Sequence, residues 1–450
     1  MLVLLTGCAT IQKEKGHADV ARLVRERTGL NTGWEQGVPE NEQVAQRVQD
    51  LLSKGLNRER SAQIALLNNR ELQAVYEELG VSQAELVQAG LLSNPRLSAS
   101  LGFPVKGAGV LEYSGSLAMD FLNVFLLPLR KSVAAEKFAA EVAHVANEAL
   151  RVVAEVSAQF AEVQMAEKLV ELQRVSSDGA RAAAFLAERQ HDAGNNTDLE
   201  FAQARVAYSQ SRVELAAAER ALVVAREQIN EQLGLFGDQT GWAVAEPLAA
   251  LPPGEPELEG LETRAMRQRL DLAARRRTTA LAARMVSVAK TSRVFGVIEI
   301  GADIHQDPDG PIVAGPNLTL ELPIFDQRVA QIAKLEAEQS QAQRQLEAAG
   351  IRARAEVRRA RARLLVARDM VDHYLRSVLP LRERVLSETQ LQYNAMQMGL
   401  RQLVQARTEQ AESFSGYIRS LGEYWIARAE LERAIGGPLE RPLQMTEPDK

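Results

Sequence analysis

The chain has 450 residues and one cysteine, Cys8. A single thiol excludes an intrachain disulfide and a cysteine metal cluster. Aromatic residues make up only 5%, little for a compact core. No apolar run reaches the roughly 18 residues of a transmembrane helix, so any membrane contact must be made by strands or by an anchor. The net charge of −6 is spread along the chain and no basic patch stands out, which argues against nucleic acid as a partner. The five histidines (His17, His144, His191, His305 and His373) are dispersed. There is no HExxH, GxGxxG or P-loop. No catalytic residue, metal site or cofactor is expected, and the chain does not read as an enzyme. The scattered carboxylates read as solvated helix faces or as i,i+4 partners of the many arginines.

What the chain does have is Ala, Glu, Gln, Arg and Leu in long stretches, the composition of long helices or coiled coil. Against that background two runs alternate with a period of two. Leu97, Ala99, Leu101, Phe103 and Val105 share one face, opposite Arg96, Ser98, Ser100 and Gly102. Leu111, Tyr113, Leu117, Met119 and Phe121 share another, opposite Glu112, Ser114, Ser116 and Asp120. Such alternation predicts strands with one apolar and one wet face. Lys106-Gly107-Ala108-Gly109 between them reads as a hairpin turn. A soluble hairpin on a helix has this pattern, and so does a pair of membrane-barrel strands of about 9–11 residues each.

The chain repeats itself. Residues 66–87 lie over 266–287 at an offset of 200, with Leu72 meeting Leu272 and Glu71 meeting Asp271. A second hairpin stands where that offset puts it. Ile298, Ile300, Ala302 and Ile304 alternate with Glu299, Gly301, Asp303 and His305, and Leu318, Leu320 and Leu322 alternate with Asn317, Thr319 and Glu321. Later parts match at an offset of 202, where Gln203-Ala204-Arg205 meets Gln405-Ala406-Arg407 and Leu233-Gly234 meets Ile435-Gly436. Each half reads helix, strand, strand, long helix, helix.

From about Arg130 to Ala193 there is no proline, which predicts a helix of about 95 Å at 1.5 Å per residue. Its counterpart spans about Arg328 to Met396, with Gly350 and Pro380 as weak points. Apolar positions such as Val145, Ala149, Val152, Val156, Phe160 and Val163 recur every three or four residues, a stripe that packs on other helices.

Four strands cannot close a membrane barrel, because such barrels begin at about eight. An open sheet edge is not tolerated in lipid. Other copies of the chain must therefore complete the sheet; two copies give eight strands and three give twelve, and counting alone does not choose.

Near the start, Leu5-Thr6-Gly7-Cys8 resembles a bacterial lipoprotein signal site, in which the leader is cut before a cysteine that then carries lipid. Seven residues without a positive charge are short for a whole leader, so residues 1–8 are expected to be the remnant of one. Ala9 carries no acidic inner-membrane retention signal.

Taken together, the chain resembles the TolC-like outer-membrane efflux factors of Gram-negative bacteria over roughly residues 40–436. The resemblance rests on the duplicated order and on Gly90-Leu91-Leu92-Ser93-Asn94-Pro95 leading into the first strand. It rests also on Leu322-Pro323-Ile324-Phe325-Asp326 leaving the fourth, and on the turn stretches Gln190-His191-Asp192-Ala193-Gly194 and Gln392-Tyr393-Asn394-Ala395-Met396. It implies a mostly α protein with a membrane β-barrel: a homotrimer in which long coiled-coil helices form an α-barrel capped by a 12-stranded β-barrel, four strands per chain. It implies an N-terminal equatorial segment (9–40), a first repeat (41–235, strands about 95–106 and 111–122), an equatorial linker (236–257), a second repeat (258–436, strands about 295–305 and 313–324) and a tail (437–450). Such a chain would be lipid-anchored in the outer membrane at Cys8, extend into the periplasm, and meet a periplasmic adaptor and an inner-membrane RND-type pump. It would serve as a passive exit duct.

By the same resemblance, Ala193, Gly194 and Asn195 form one adaptor-contacting tip, and Ala395, Met396 and Gln397 the other. The family usually has glycine at both tips. Here the offset pairs Gly194 with Met396, and Met398-Gly399 offers another place for the turn, three residues on. The positions of the family's acidic entrance gate hold Gln402 and Gln405, which argues against a cation-blocking ring. Glu112, Asp120, Glu299, Asp303 and Glu321 would line the pore, either as acidic rings or as an ordinary polar lumen. The stretches YNAMQMG and GEYWIARAELE look most like the heavy-metal and copper branch, so metal cations are the expected cargo. Drug or solvent efflux and type I protein secretion remain open beside it. In another class, a coiled-coil scaffold is the alternative.

Overall fold

A computed structural model describes residues 14–440 apart from 35–37, 104–111, 256–257, 292, 294–297, 307–309 and 322–323. Cys8, the predicted turn Lys106-Gly107-Ala108-Gly109, Asp307-Pro308-Asp309 between the strands of the second hairpin, and Leu322-Pro323 lie outside the described residues. The first series of elements is α1 (Glu14–Thr28), α2 (Val38–Ser53), α3 (Arg58–Asn68), α4 (Arg70–Ala89), β1 (Arg96–Gly102), β2 (Glu112–Asp120), α5 (Leu122–Asp192) and α6 (Asp198–Leu233). The second is α7 (Leu261–Gln268), α8 (Leu270–Thr291), β3 (Ile298–Gln306), β4 (Ile312–Leu320), α9 (Val329–His373), α10 (Leu379–Asn394) and α11 (Leu400–Ile435).

The duplication reaches down to single hydrogen bonds. One extended residue separates α3 from α4, and one separates α7 from α8. These are Asn69 and Arg269, with ψ of 119° and 124°. Each donates its backbone N–H to a carbonyl four residues back, Ala65 or Ala265, at 3.0 Å. The helices α6 and α11 both end on a left-handed glycine, Gly234 (φ 65°) and Gly436 (φ 81°). In both, the next residue's N–H reaches back to close a Schellman motif: Leu235 to Asn230 at 2.9 Å, Gly437 to Glu432 at 3.0 Å. Glycine is required twice over at the first of these, since a Cβ on Gly234 would stand 2.4 Å from the Asn68 carbonyl oxygen.

The described residues fall into two compact units. One holds those up to Val20, Tyr76–Val145 and Leu270–Gly350; the other holds Ala21–Val75, Ala146–Arg269 and those from Ile351 on. The second unit has two equivalent apolar cores, one per repeat. In the first, Val152, Val156, Phe160 and Val163 of α5 meet Ile64 and Ala65 of α3 and Ile229 and Leu233 of α6. In the second, Val357, Leu364 and Val371 of α9 meet Ala265 of α7 and Leu431 and Ile435 of α11. Burying each such Val, Ile or Leu contributes about 1.5–3 kcal/mol. The predicted linker packs on this unit. Leu56 and Val244 form a single bridge, with Leu56 N–H to the Ala243 carbonyl at 2.8 Å. Trp242 is buried under the Arg226 guanidinium, 4.0 Å from its ring centre, and its Nε1–H donates to Asn230 Oδ1 at 2.7 Å. Farther on, Glu255 accepts from Arg368 at 2.7 Å and from the Tyr424 hydroxyl at 2.5 Å. Burial, with Glu255 beside it, pushes the Tyr424 phenol up to about 12.

The two long helices differ from expectation in opposite ways. α5 starts eight residues earlier than read, and it takes Pro128 into its first turns without a break. Its counterpart is interrupted: Tyr374–Val378 form one π-turn between α9 and α10. Pro380, just beyond, has no N–H for the carbonyl four residues back, and the widened turn absorbs that loss.

Candidate functional site

Two places answer to the residues singled out in the sequence: the sheet of the first unit and the two helix-to-helix turns of the second.

The sheet is antiparallel in the order β1-β2-β3-β4, so the central pair β2–β3 joins the two repeats. Its register sorts the side chains by polarity, apart from Gln306 on the apolar face and Val313 on the wet one. Leu97 pairs with Leu117, Leu117 with Ala302, and Ala302 with Pro316. Along one face therefore run Leu97, Leu101, Leu117, Met119, Ile300, Ile304, Leu318 and Leu320. The other face carries Arg96, Ser98, Ser100, Glu112, Ser114, Ser116, Asp120, Glu299, Asp303, His305 and Thr319. On this wet face Ser98 bonds Ser116 at 2.7 Å and Ser100 bonds Ser114 at 2.9 Å. Arg96 pairs with Glu299. His305 Nδ1 lies 3.9 Å from Asp303. The apolar face is bare: Leu97 is 79% exposed, Leu318 69% and Leu101 63%. Water does not leave such a face uncovered on a stable sheet. Among the described residues, β1 and β4 each have one unpaired edge.

Of the five predicted acidic residues, Glu112, Asp120, Glu299 and Asp303 share the wet face. Asp120 has a second task that sequence reading missed. Its Oδ1 accepts the Asn123 backbone N–H at 3.2 Å, and Asn123 Nδ2 donates to its other oxygen, so it caps α5. Glu321 lies one residue beyond β4.

At the first turn, Gly194 is left-handed (φ 74°). Gly194 N–H bonds the His191 carbonyl and Asn195 N–H the Gln190 carbonyl, both at 2.8 Å. At the second, Met396 itself is left-handed (φ 59°). Its N–H bonds the Tyr393 carbonyl at 3.0 Å, and Gln397 N–H bonds the Gln392 carbonyl at 2.9 Å. The offset of 202 thus holds, and the turn does not move to Met398-Gly399. Ala193, Gly194, Asn195, Ala395, Met396 and Gln397 are all exposed, Met396 at 94%. Gln402 and Gln405 are exposed on α11, where Gln405 Nε2–H donates to Glu409 at 3.0 Å and Arg382 of α10 holds the same carboxylate. A capping box, signalled in the sequence by the spacing Thr197-x-x-Glu200, opens α6. Thr197 Oγ1 accepts from Glu200 N–H at 3.2 Å and Glu200 Oε2 from Thr197 N–H at 3.0 Å.

Residues 62–235 match the family model described as outer membrane efflux protein. Over those residues the chain is similar to that efflux family. Proteins of that family are channels of the outer membrane and not enzymes. No curated relative matches it in sequence. Solved structures agree in fold. The outer-membrane channel CmeC of Campylobacter jejuni is 14% identical with a TM-score of 0.73, covering 86% of this chain and 87% of its own. The channel-forming protein CusC is 19% identical, TM-score 0.70, covering 87% and 92%. The outer membrane protein VceC of Vibrio cholerae is 16% identical, TM-score 0.69, covering 88% and 97%. A coiled-coil scaffold, the alternative class, gives no reason for the bare sheet face.

Proposed function

We propose that three copies of this chain close their twelve strands into one outer-membrane barrel and form the passive exit duct of a tripartite efflux system. One observation carries the reading: a four-stranded sheet with an exposed Leu/Ile face and two open edges, which lipid and neighbouring copies would satisfy together. In this reading Cys8 bears the lipid anchor. Glu112, Glu299, Asp303 and Glu321 face the lumen, with Asp120 also capping α5. The exposed turns at Ala193–Asn195 and Ala395–Gln397 meet a periplasmic adaptor coupled to an inner-membrane RND-type pump. Gln402 and Gln405 stand at the entrance without a cation-blocking charge. The segments 9–40, 236–257 and 437–450 form the equatorial belt around the repeats 41–235 and 258–436. The cargo is proposed to be heavy-metal cations of the copper type, supported by the resemblance of residues 393–399 and 422–432 to that branch.

Membrane fractionation followed by mass determination of the detergent-extracted complex tests the duct. An outer-membrane species of roughly three times 49.4 kDa supports it, and a soluble monomer or dimer rejects it. Leu101→Arg and Ile300→Arg put charge on the apolar face, where each is expected to cost about 2–4 kcal/mol of insertion. Trimer yield that survives both would count against the barrel. Copper tolerance that depends on the chain while dye and solvent tolerance do not would support the cargo; the reverse would replace it.

A further inference from the structure

Glu141 and His144 stand three residues apart on α5, and Glu78 of α4 lies against them. One ligand atom from each of the three falls within 4.8 Å of the other two. All three belong to the strand-bearing unit. Spacing i,i+3 brings two side chains to one spot on a helix face. A carboxylate from a neighbouring helix completes a mixed oxygen and nitrogen donor set, which is how helical proteins hold cations with a Glu-x-x-His pair.

The electrostatics leave a place for positive charge. Oε1 of Glu141 is buried and has no hydrogen-bond partner. Two carboxyls side by side are both ionised only with a positive charge near them, which a bound cation would supply. Lys137, whose charge also reaches Glu141, is engaged at 2.6 Å by Glu85.

We propose that Glu78, Glu141 and His144 bind one divalent cation of the zinc class and so tie α4 to α5. Two carboxylates and an imidazole suit Zn²⁺ or Co²⁺, and the donor set contains no thiolate or thioether for a soft monovalent ion. Because Glu78 and His144 are exposed, water completes the coordination. The inference stands apart from the efflux reading, and its test does not involve transport.

Full-length protein, extracted in detergent and stripped with chelator, is titrated with Zn²⁺ by calorimetry. One saturable Zn²⁺ per chain is expected. His144→Ala and Glu78→Gln should each weaken it at least about tenfold, since loss of a mere supporting partner already costs that much. His373→Ala, in the other unit, should leave it unchanged. In the unsubstituted protein, Zn²⁺ should shield His144 selectively from diethylpyrocarbonate, read by peptide mass. That readout holds even where a substituted chain folds poorly. No saturable binding, binding untouched by both substitutions, or labelling of His144 unchanged by zinc overturns the site.

Discussion

The turn at Gly194 and the turn at Met396 have one backbone and two sequences. Each is a Schellman motif with its left-handed residue at the same place in the repeat, and the matching hydrogen bonds agree within 0.2 Å. The supporting chemistry differs. The first has glycine at the left-handed site, the Thr197–Glu200 box, and His191 of α5 bonded to Asp198 of α6 at 2.7 Å. The second puts a methionine there and opens α11 on Gly399, which has no side chain to cap the helix. A left-handed non-glycine residue costs roughly 1–2 kcal/mol. The turn's geometry is therefore imposed from outside it, by the helix pairs α5–α6 and α10–α11, and the local devices set only how firmly it closes.

That comparison can be broken by exchanging the devices and reading local opening from amide hydrogen exchange around residues 190–200 and 392–402. The largest effect is expected from Gly194→Val. A β-branched residue at φ 74° should cost about 2 kcal/mol and speed exchange at the first turn alone. Thr197→Ala removes the cap and should cost about 1 kcal/mol, again at the first turn only. Met396→Gly should slow exchange at the second turn by up to about 1 kcal/mol, the relieved strain offset in part by a freer unfolded chain. If exchange there does not slow, the methionine is not strained and the contrast between the turns fails. Gly399→Ser, restoring a cap, should add a few tenths of a kcal/mol.

The sequence shows the parts of this molecule that depend on local period and hides those that depend on distant pairing. Period-two alternation put Leu101, Ile300 and Leu318 on one face and Ser98, Glu299 and Asp303 on the other, because a strand's side chains must alternate whatever its partners. The 202 offset located the second turn at Met396, since two copies of one backbone place their turns alike. The Arg96–Glu299 pair was not legible; it needs the register across both repeats, through β2. Nor was the meeting of Glu78 with Glu141 and His144, because helix periodicity says which residues share a face and not which face opposes it. The cap at Asp120 was not legible either, because a carboxylate on the wet face of a strand gives no sign that a helix starts beside it.

The smallest effect is also the most selective. In the first turn, hydrogen bonds from Thr197, the backbone N–H first, hold the Glu200 carboxyl below its ordinary value of 4.5. A carboxyl depressed in the folded chain stabilises it at pH values above its unfolded value, and that contribution fades as pH falls through the folded one. Glu200 is fully exposed, so the effect is local and modest. Lowering the pH from neutrality to below the ordinary carboxylate range should therefore loosen the amides of 197–200, once intrinsic exchange is corrected for pH. The amides of 399–402 should not respond, because no carboxylate caps them. In Glu200→Gln the first turn should lose its acid sensitivity and behave as the second does. If both turns loosen together in acid, the cause lies in the helix pairs they share in design, and the capping box is not what distinguishes them.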